Sequence, residues 1–215
     1  MNINNLLVLP LKFKFEPDSW EVFWKVWERD TRLYHRKQAD AQGNNSRIPH
    51  WEGFIWKWTD YNQTMWDVKS DYYHDEFPKL KQQLQTAFPC TIDRIMFQSN
   101  ITKINPHRDG ASTDNLPYPA SLRVLIYDEN DRDTFYICND TSAMNKKYYV
   151  KLPADSNTFV YNNPKVFHGA DLHNKRKILM HIISRDYDEE KWFKLLRENY
   201  GYYKDQYVVE EQTWT

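Results

Sequence analysis

Residues 104–110 read Ile104-Asn105-Pro106-His107-Arg108-Asp109-Gly110. In an extended segment successive side chains leave opposite faces, so His107 and Asp109, two apart, leave the same face and can converge on one ion. Such a site needs a third ligand from elsewhere in the chain. The leading candidate is His168, in Asn162-Asn163-Pro164-Lys165-Val166-Phe167-His168-Gly169. Two imidazoles and one carboxylate, with coordination positions left open, are a ligand set suited to non-haem Fe(II). Two of only five glycines, Gly110 and Gly169, directly follow the candidate ligands, and Pro106 and Pro164 lie at or just before them. Such residues make tight turns that let backbone and a bound group approach closely.

Two rivals offer the same kind of pair: His50-Trp51-Glu52 and His74-Asp75-Glu76. The second sits at the start of a helix, where acidic residues ordinarily serve the helix dipole. The first has no such simple alternative. A lone histidine is more often a loop or core residue than a ligand; the metal reading draws its strength from His107 and His168 together.

Outward from this stretch the pattern of apolar residues changes at Cys90. Beyond it, short strands are expected near 92–98, 101–106, 122–127, 134–138, 148–152, 158–161 and 177–183, separated by polar turns. That pattern predicts a closed or doubled antiparallel sheet of the jelly-roll kind. His107 and Asp109 enter this strand-rich half, and His168 comes near its end. Upstream, Leu6 to Leu11 reads as a strand, and Asp18-Ser19-Trp20-Glu21 resembles a capping box. Trp20, Phe23, Trp24, Trp27, Thr31 and Tyr34 follow it at helical spacing. Phe54, Trp56 and Trp58 alternate as in a strand with one aromatic face. A helix is expected from Pro78 to Ala87, with Phe77, Leu80, Leu84 and Phe88 on one face and Pro89 ending it. A last helix follows Asp186-Tyr187-Asp188-Glu189, with Trp192, Phe193, Leu195 and Leu196 as its apolar face and Gly201 as its C-terminal stop. The expected organisation is one domain: a helix-rich part over 1–89, a jelly-roll core over 90–185, and a helix and tail over 186–215.

Composition narrows the class. The 215 residues are 40% hydrophobic and 27% charged, fractions of a globular protein and not of a disordered one. A net charge of −1 argues against a strongly cationic nucleic-acid binder. Leu6 to Leu11 is short, interrupted by Pro10 and preceded by no basic region, so it reads neither as a signal peptide nor as a membrane span. Cys90 and Cys138 have no metal-binding spacing and read as free thiols in a reducing compartment, or as a single disulfide. A cytoplasmic protein is the expectation.

Cations complete the candidate site. Arg176 and Lys177 open the apolar run Ile178-Leu179-Met180-His181-Ile182-Ile183. A charge entering such a strand is costly unless exposed or paired, so it is either solvated at the strand end or set against an anion such as a dicarboxylate. The planar guanidinium of Arg176 suits a carboxylate better than Lys177 does. Arg123 faces the same way as Leu125 and Tyr127 and opposite to Leu122, Val124 and Ile126. A second cation inside a barrel mouth would focus anion binding there.

With His107-Arg108-Asp109, Arg123, His168 and Arg176 in this order, residues 90–185 resemble the Fe(II)/2-oxoglutarate-dependent dioxygenases. The aspartyl/asparaginyl β-hydroxylase-like and prolyl-hydroxylase-like groups are the most similar. The resemblance implies a mainly β protein with flanking helices, built on a double-stranded β-helix of the cupin-like, jelly-roll type. It implies Fe(II) held by His107, Asp109 and His168, 2-oxoglutarate held at its far carboxylate by Arg176, with Lys177 as the alternative, and O2 as the third reactant. Arg123 matches an arginine that contacts the cosubstrate in the β-hydroxylase group, although Leu125 stands where that group carries a histidine. The activity implied is hydroxylation of a protein or peptide side chain. A free amino acid or other small metabolite is the alternative substrate, and a cupin-like metal- or ligand-binding protein without oxygen chemistry is the alternative class.

Overall fold

The computed structural model of the chain describes residues 2, 5–25, 53–58, 63–69, 77–100, 104–108, 121–128, 135–139, 147–171 and 177–211. Its strands in chain order are β1 (Leu6–Leu11), β2 (Gly53–Trp58), β3 (Gln63–Lys69), β4 (Cys90–Asn100), β5 (Ile104–His107), β6 (Ser121–Asp128), β7 (Phe135–Cys138), β8 (Tyr148–Tyr149), β9 (Thr158–Tyr161), β10 (Phe167–Ala170), β11 (Lys177–Tyr187) and β12 (Val209–Glu210). The helices are α1 (Pro78–Ala87) and α2 (Glu189–Tyr203), and residues 20–25 are also helical. The strands form an eight-stranded sheet, β12-β1-β9-β6-β11-β4-β3-β2, and a four-stranded sheet, β5-β10-β7-β8. Neighbours pair antiparallel throughout.

The central strands of the larger sheet carry buried residues on both faces, so each face is covered. Leu122 and Val124 of β6, Val160 of β9, and Ile178, Met180 and Ile182 of β11 enter one buried cluster. That cluster also takes in Phe23, Phe77, Leu80, Leu84 and Phe88, with Trp192 and Leu196 of α2, so the helices lie on this face. The alternate residues Phe159, Tyr161 and Leu179 enter a second cluster with Phe135 and Ile137 of β7, Val150 and Val166, with Leu125 packed against it. Strand alternation therefore sends one set of side chains towards the helices and the other towards the smaller sheet.

Residues 1–89 contribute three strands, β1, β2 and β3, to the larger sheet, and the tail adds β12 beside β1. α1 matches the expected range, and its four predicted face residues Phe77, Leu80, Leu84 and Phe88 are all buried. Its N-cap, Phe77, makes no side-chain cap bond. Asp18 supplies one from a distance: Lys79 N donates to its Oδ1 at 2.7 Å and Leu80 N to its Oδ2 at 3.0 Å. Ser19 caps its own helix, accepting from Val22 N at 3.4 Å. The expected capping box thus divides its work between two helices.

Other expectations change. Gly201 lies inside the last turn of α2 and does not stop it; the helix runs to Tyr203, and Lys204 at the C-cap keeps right-handed backbone angles. The strand expected over 148–152 is only Tyr148–Tyr149. β3, β10 and β12 were not expected. No disulfide joins Cys90 and Cys138. Among the described residues, no helix is long and apolar enough to cross a membrane.

Candidate metal centre

The turn that leads to His168 is tied to β1 of the larger sheet. Lys165 N and Val166 N donate to Asn162 O at 2.9 and 3.0 Å, closing the turn through Pro164. Asn162 is buried; its N donates to Leu7 O at 2.9 Å and its Nδ2 to Leu6 O at 3.1 Å. β10 therefore starts from a turn anchored on β1. It then runs between β5 and β7, with His168 opposite both His107 and Ile137. Gly169, expected in a tight turn, is a strand residue opposite Tyr136. The turn lies instead at residues 163–165.

Among the described residues β5 is an edge strand, and Pro106 in it has no N–H to donate. Ile104 pairs with Ala170 and His107 with His168, so β5 uses three steps where β10 uses two. An unbulged strand counted from Ile104 would set Pro106 against His168. The extra residue sets His107 there instead, a bulge re-aiming a side chain.

The two imidazoles stand with ring centroids 4.3 Å apart at an interplanar angle of 50°. A metal–imidazole bond of about 2.1 Å puts the centroids of two adjacent imidazole ligands roughly 4.5 Å apart, a separation close to the one here. His168 is only 5% exposed, whereas His107 is exposed, which places the pair at the rim of the space between the sheets. Phe135 stacks on His168 at 5.7 Å and 25°, and the Tyr161 ring lies 5.0 Å from it. These rings limit where the His168 imidazole can turn.

Arg123 lies in the same interior. It is 5% exposed, the one buried lysine or arginine among the described side chains. Nη2 donates to the Tyr161 hydroxyl at 3.0 Å and Nη1 to Leu122 O at 3.3 Å, and the guanidinium carbon is 5.3 Å from the Tyr161 ring centroid. On the neighbouring strand β11 it pairs with His181, which is also buried. The expected orientation of Arg123, with Leu125 and against Leu122 and Val124, is the one observed.

Asp109 and Arg176 lie outside the described residues, as do His50-Trp51-Glu52 and His74-Asp75-Glu76. Lys177 opens β11 with its backbone paired to Asp128. Among the described residues, no three of His, Cys, Asp and Glu converge as a metal site. Sequence reasoning missed Tyr161 and His181. The alternation Phe159-Val160-Tyr161 carried a signal for the first, and a lone imidazole in an apolar strand carried one for the second.

The outer face of the smaller sheet has its own polar cluster. Asp171 accepts from both Lys147 Nζ and the Tyr149 hydroxyl, and Lys147 Nζ sits 4.3 Å above the Tyr136 ring. Burial first, and then the Asp171 charge, push the Tyr136 hydroxyl up to about 12. The hydrogen bond to Asp171 is the main cause that pushes Tyr149 up to about 12.

No protein-family model matches the sequence, and no curated protein matches it. Among solved structures the chain is similar to a prolyl-4-hydroxylase from Pseudomonas putida at 12% identity, over 73% of this chain and 85% of that one, with a TM-score of 0.36. It is similar to the non-haem alpha-ketoglutarate-dependent epimerase SnoN from nogalamycin biosynthesis at 14% identity, over 81% and 75% of the two chains, with a TM-score of 0.35. A 2OG-Fe(II) oxygenase family oxidoreductase from Burkholderia pseudomallei shares 13% identity over 74% and 82%, with a TM-score of 0.33.

Proposed function

We propose that the chain is a non-haem Fe(II)/2-oxoglutarate-dependent dioxygenase, a hydroxylase whose two sheets form a double-stranded β-helix. The observation that carries the reading is the cross-strand pair His107 and His168, with ring centroids 4.3 Å apart, beside a buried arginine. His107, His168 and Asp109 would hold the metal. Arg176 or Lys177 would hold the far carboxylate of 2-oxoglutarate, and Arg123 would contact the same cosubstrate. When bound, Fe(II) with 2-oxoglutarate and O2 supplies the oxidising power to hydroxylate a C–H bond while 2-oxoglutarate is decarboxylated to succinate and CO2.

The protein's share is binding, orientation and exclusion of water. A guanidinium in a low-dielectric interior attracts a carboxylate more strongly than one in water does. Phe135, Phe159, Tyr161 and Leu179 line that interior with apolar surface, which keeps solvent away from it. Because His107 is exposed at the strand end, a C–H bond can be presented from outside, as a side chain on a protein or peptide would be. A protein or peptide side chain is therefore the proposed substrate, ahead of a free amino acid or metabolite. Cys90 and Cys138, which form no disulfide, accord with a cytoplasmic location.

Replacing His107 or His168 with alanine tests the assignment. Both variants should lose substrate oxidation and the slow succinate release that occurs without substrate. Succinate release at the wild-type rate in either one overturns it.

A further inference from the structure

We propose that Arg108 is a positioning residue that straps the end of β5 onto β10 and so holds His107 against His168; this rests on the metal reading of that pair. Register carries the first part of the argument. With His107 opposite His168, the next facing pair in an antiparallel ladder is Arg108 and Phe167. The Arg108 guanidinium carbon stands 4.2 Å from the Phe167 ring centroid, and Nη2 donates to Lys165 O at 3.2 Å. Arg108 is itself exposed, so the contact lies on the outside of the seam.

The strap has something firm to hold. Lys165 belongs to the turn anchored through Asn162 on β1, and its Nζ pairs with Glu211. β5 needs such a hold: it is four residues long, has β10 as its one sheet neighbour among the described residues, and carries Pro106 and a bulge. Short edge strands of this kind open at little cost. In sequence, Arg108 directly follows the proposed ligand His107, so ordering it orders the backbone at that ligand. An arginine suits the position better than a lysine because its planar fork can stack and donate to the carbonyl together.

Charge alone predicts the opposite of the strap. A cation beside a metal site repels the metal, so deleting Arg108 would tighten binding if charge were its main effect. If it preorganises His107, deletion weakens binding by about fivefold, the equivalent of roughly 1 kcal/mol for a cation–π contact with one hydrogen bond. The test is Mn(II) titration of the full chain, followed by calorimetry and by the EPR signal of free Mn(II), on wild type, R108A, F167L and H107A. F167L keeps the charge and removes the ring.

R108A and F167L should both bind Mn(II) several-fold more weakly, with melting temperatures of the metal-free proteins close to wild type, and R108K should recover part of the affinity. Binding by R108A and F167L as tight as wild type or tighter, with H107A defective, overturns the strap and leaves the metal reading standing. Wild-type binding by H107A overturns the metal reading and the strap with it. A fall in melting temperature for R108A as large as that of the core variant L196A marks a merely structural residue and also overturns the strap.

Discussion

Arg123 donates from Nη2 to the Tyr161 hydroxyl at 3.0 Å, and the ring of the same Tyr161 stands 5.0 Å from His168. One tyrosine thus touches both the buried cation and the buried imidazole of the proposed site. The two halves of that site, one for an anion and one for a metal, share a wall.

That arrangement makes them separable by mutation. Arg123→Met keeps most of the volume and removes the charge. A hydrogen bond to a charged group is worth about 1.5–3 kcal/mol, so 2-oxoglutarate should bind roughly ten- to a hundredfold more weakly while Mn(II) affinity is little changed. Calorimetric titration with each ligand in turn checks this. Unaltered 2-oxoglutarate affinity would remove Arg123 from the cosubstrate site.

The polar cluster on the outer face makes stability fall in alkali. The folded-state values of Tyr136 and Tyr149, each about 12, lie above the ordinary tyrosine value of about 10. With both values raised, the folded state holds its protons more tightly than the unfolded chain. Their contribution is then complete below about pH 10 and is lost as pH rises through about 12. Denaturant midpoints should stay level up to that window and drop within it. Y136F should make the drop shallower, and in D171N the Tyr149 hydroxyl should ionise at lower pH in an ultraviolet titration.

Asp18 caps α1 from 60 residues upstream of Pro78, a contact that also joins the N-terminal segment to the helix layer. Asp18→Ala should cost about 1 kcal/mol in denaturant unfolding, the usual size of a lost helix cap, and Asp18→Asn, which keeps one of the two acceptor oxygens, should cost less. Equal losses in the two variants would show that a single amide oxygen does not serve as the cap.

What could be read from the sequence followed from local spacing. α1 was legible because Phe77, Leu80, Leu84 and Phe88 recur at helical intervals, and Arg123 because alternation assigns a face to every residue of β6. β10 was not legible: Phe167-His168-Gly169-Ala170 has no apolar alternation, and its strand state comes from bonding to β5 on one side and β7 on the other. The bulge at Asn105 and Pro106 was hidden for the same reason, since register is a relation between two strands. Asp18 looked like the cap of the helix that follows it, because sequence alone cannot show that α1 lies closer. The histidine pair was found by residue type and neighbours, and its closeness is a product of that unseen bulge.

The most direct measurement is anaerobic titration of the metal-free chain with Fe(II) and then 2-oxoglutarate, followed by visible absorption. A band that neither component gives alone, present in wild type and lost in H107A and H168A, is the predicted result. No band in wild type, or the same band in both alanine variants, would contradict the assignment of His107 and His168 to an Fe(II)/2-oxoglutarate site.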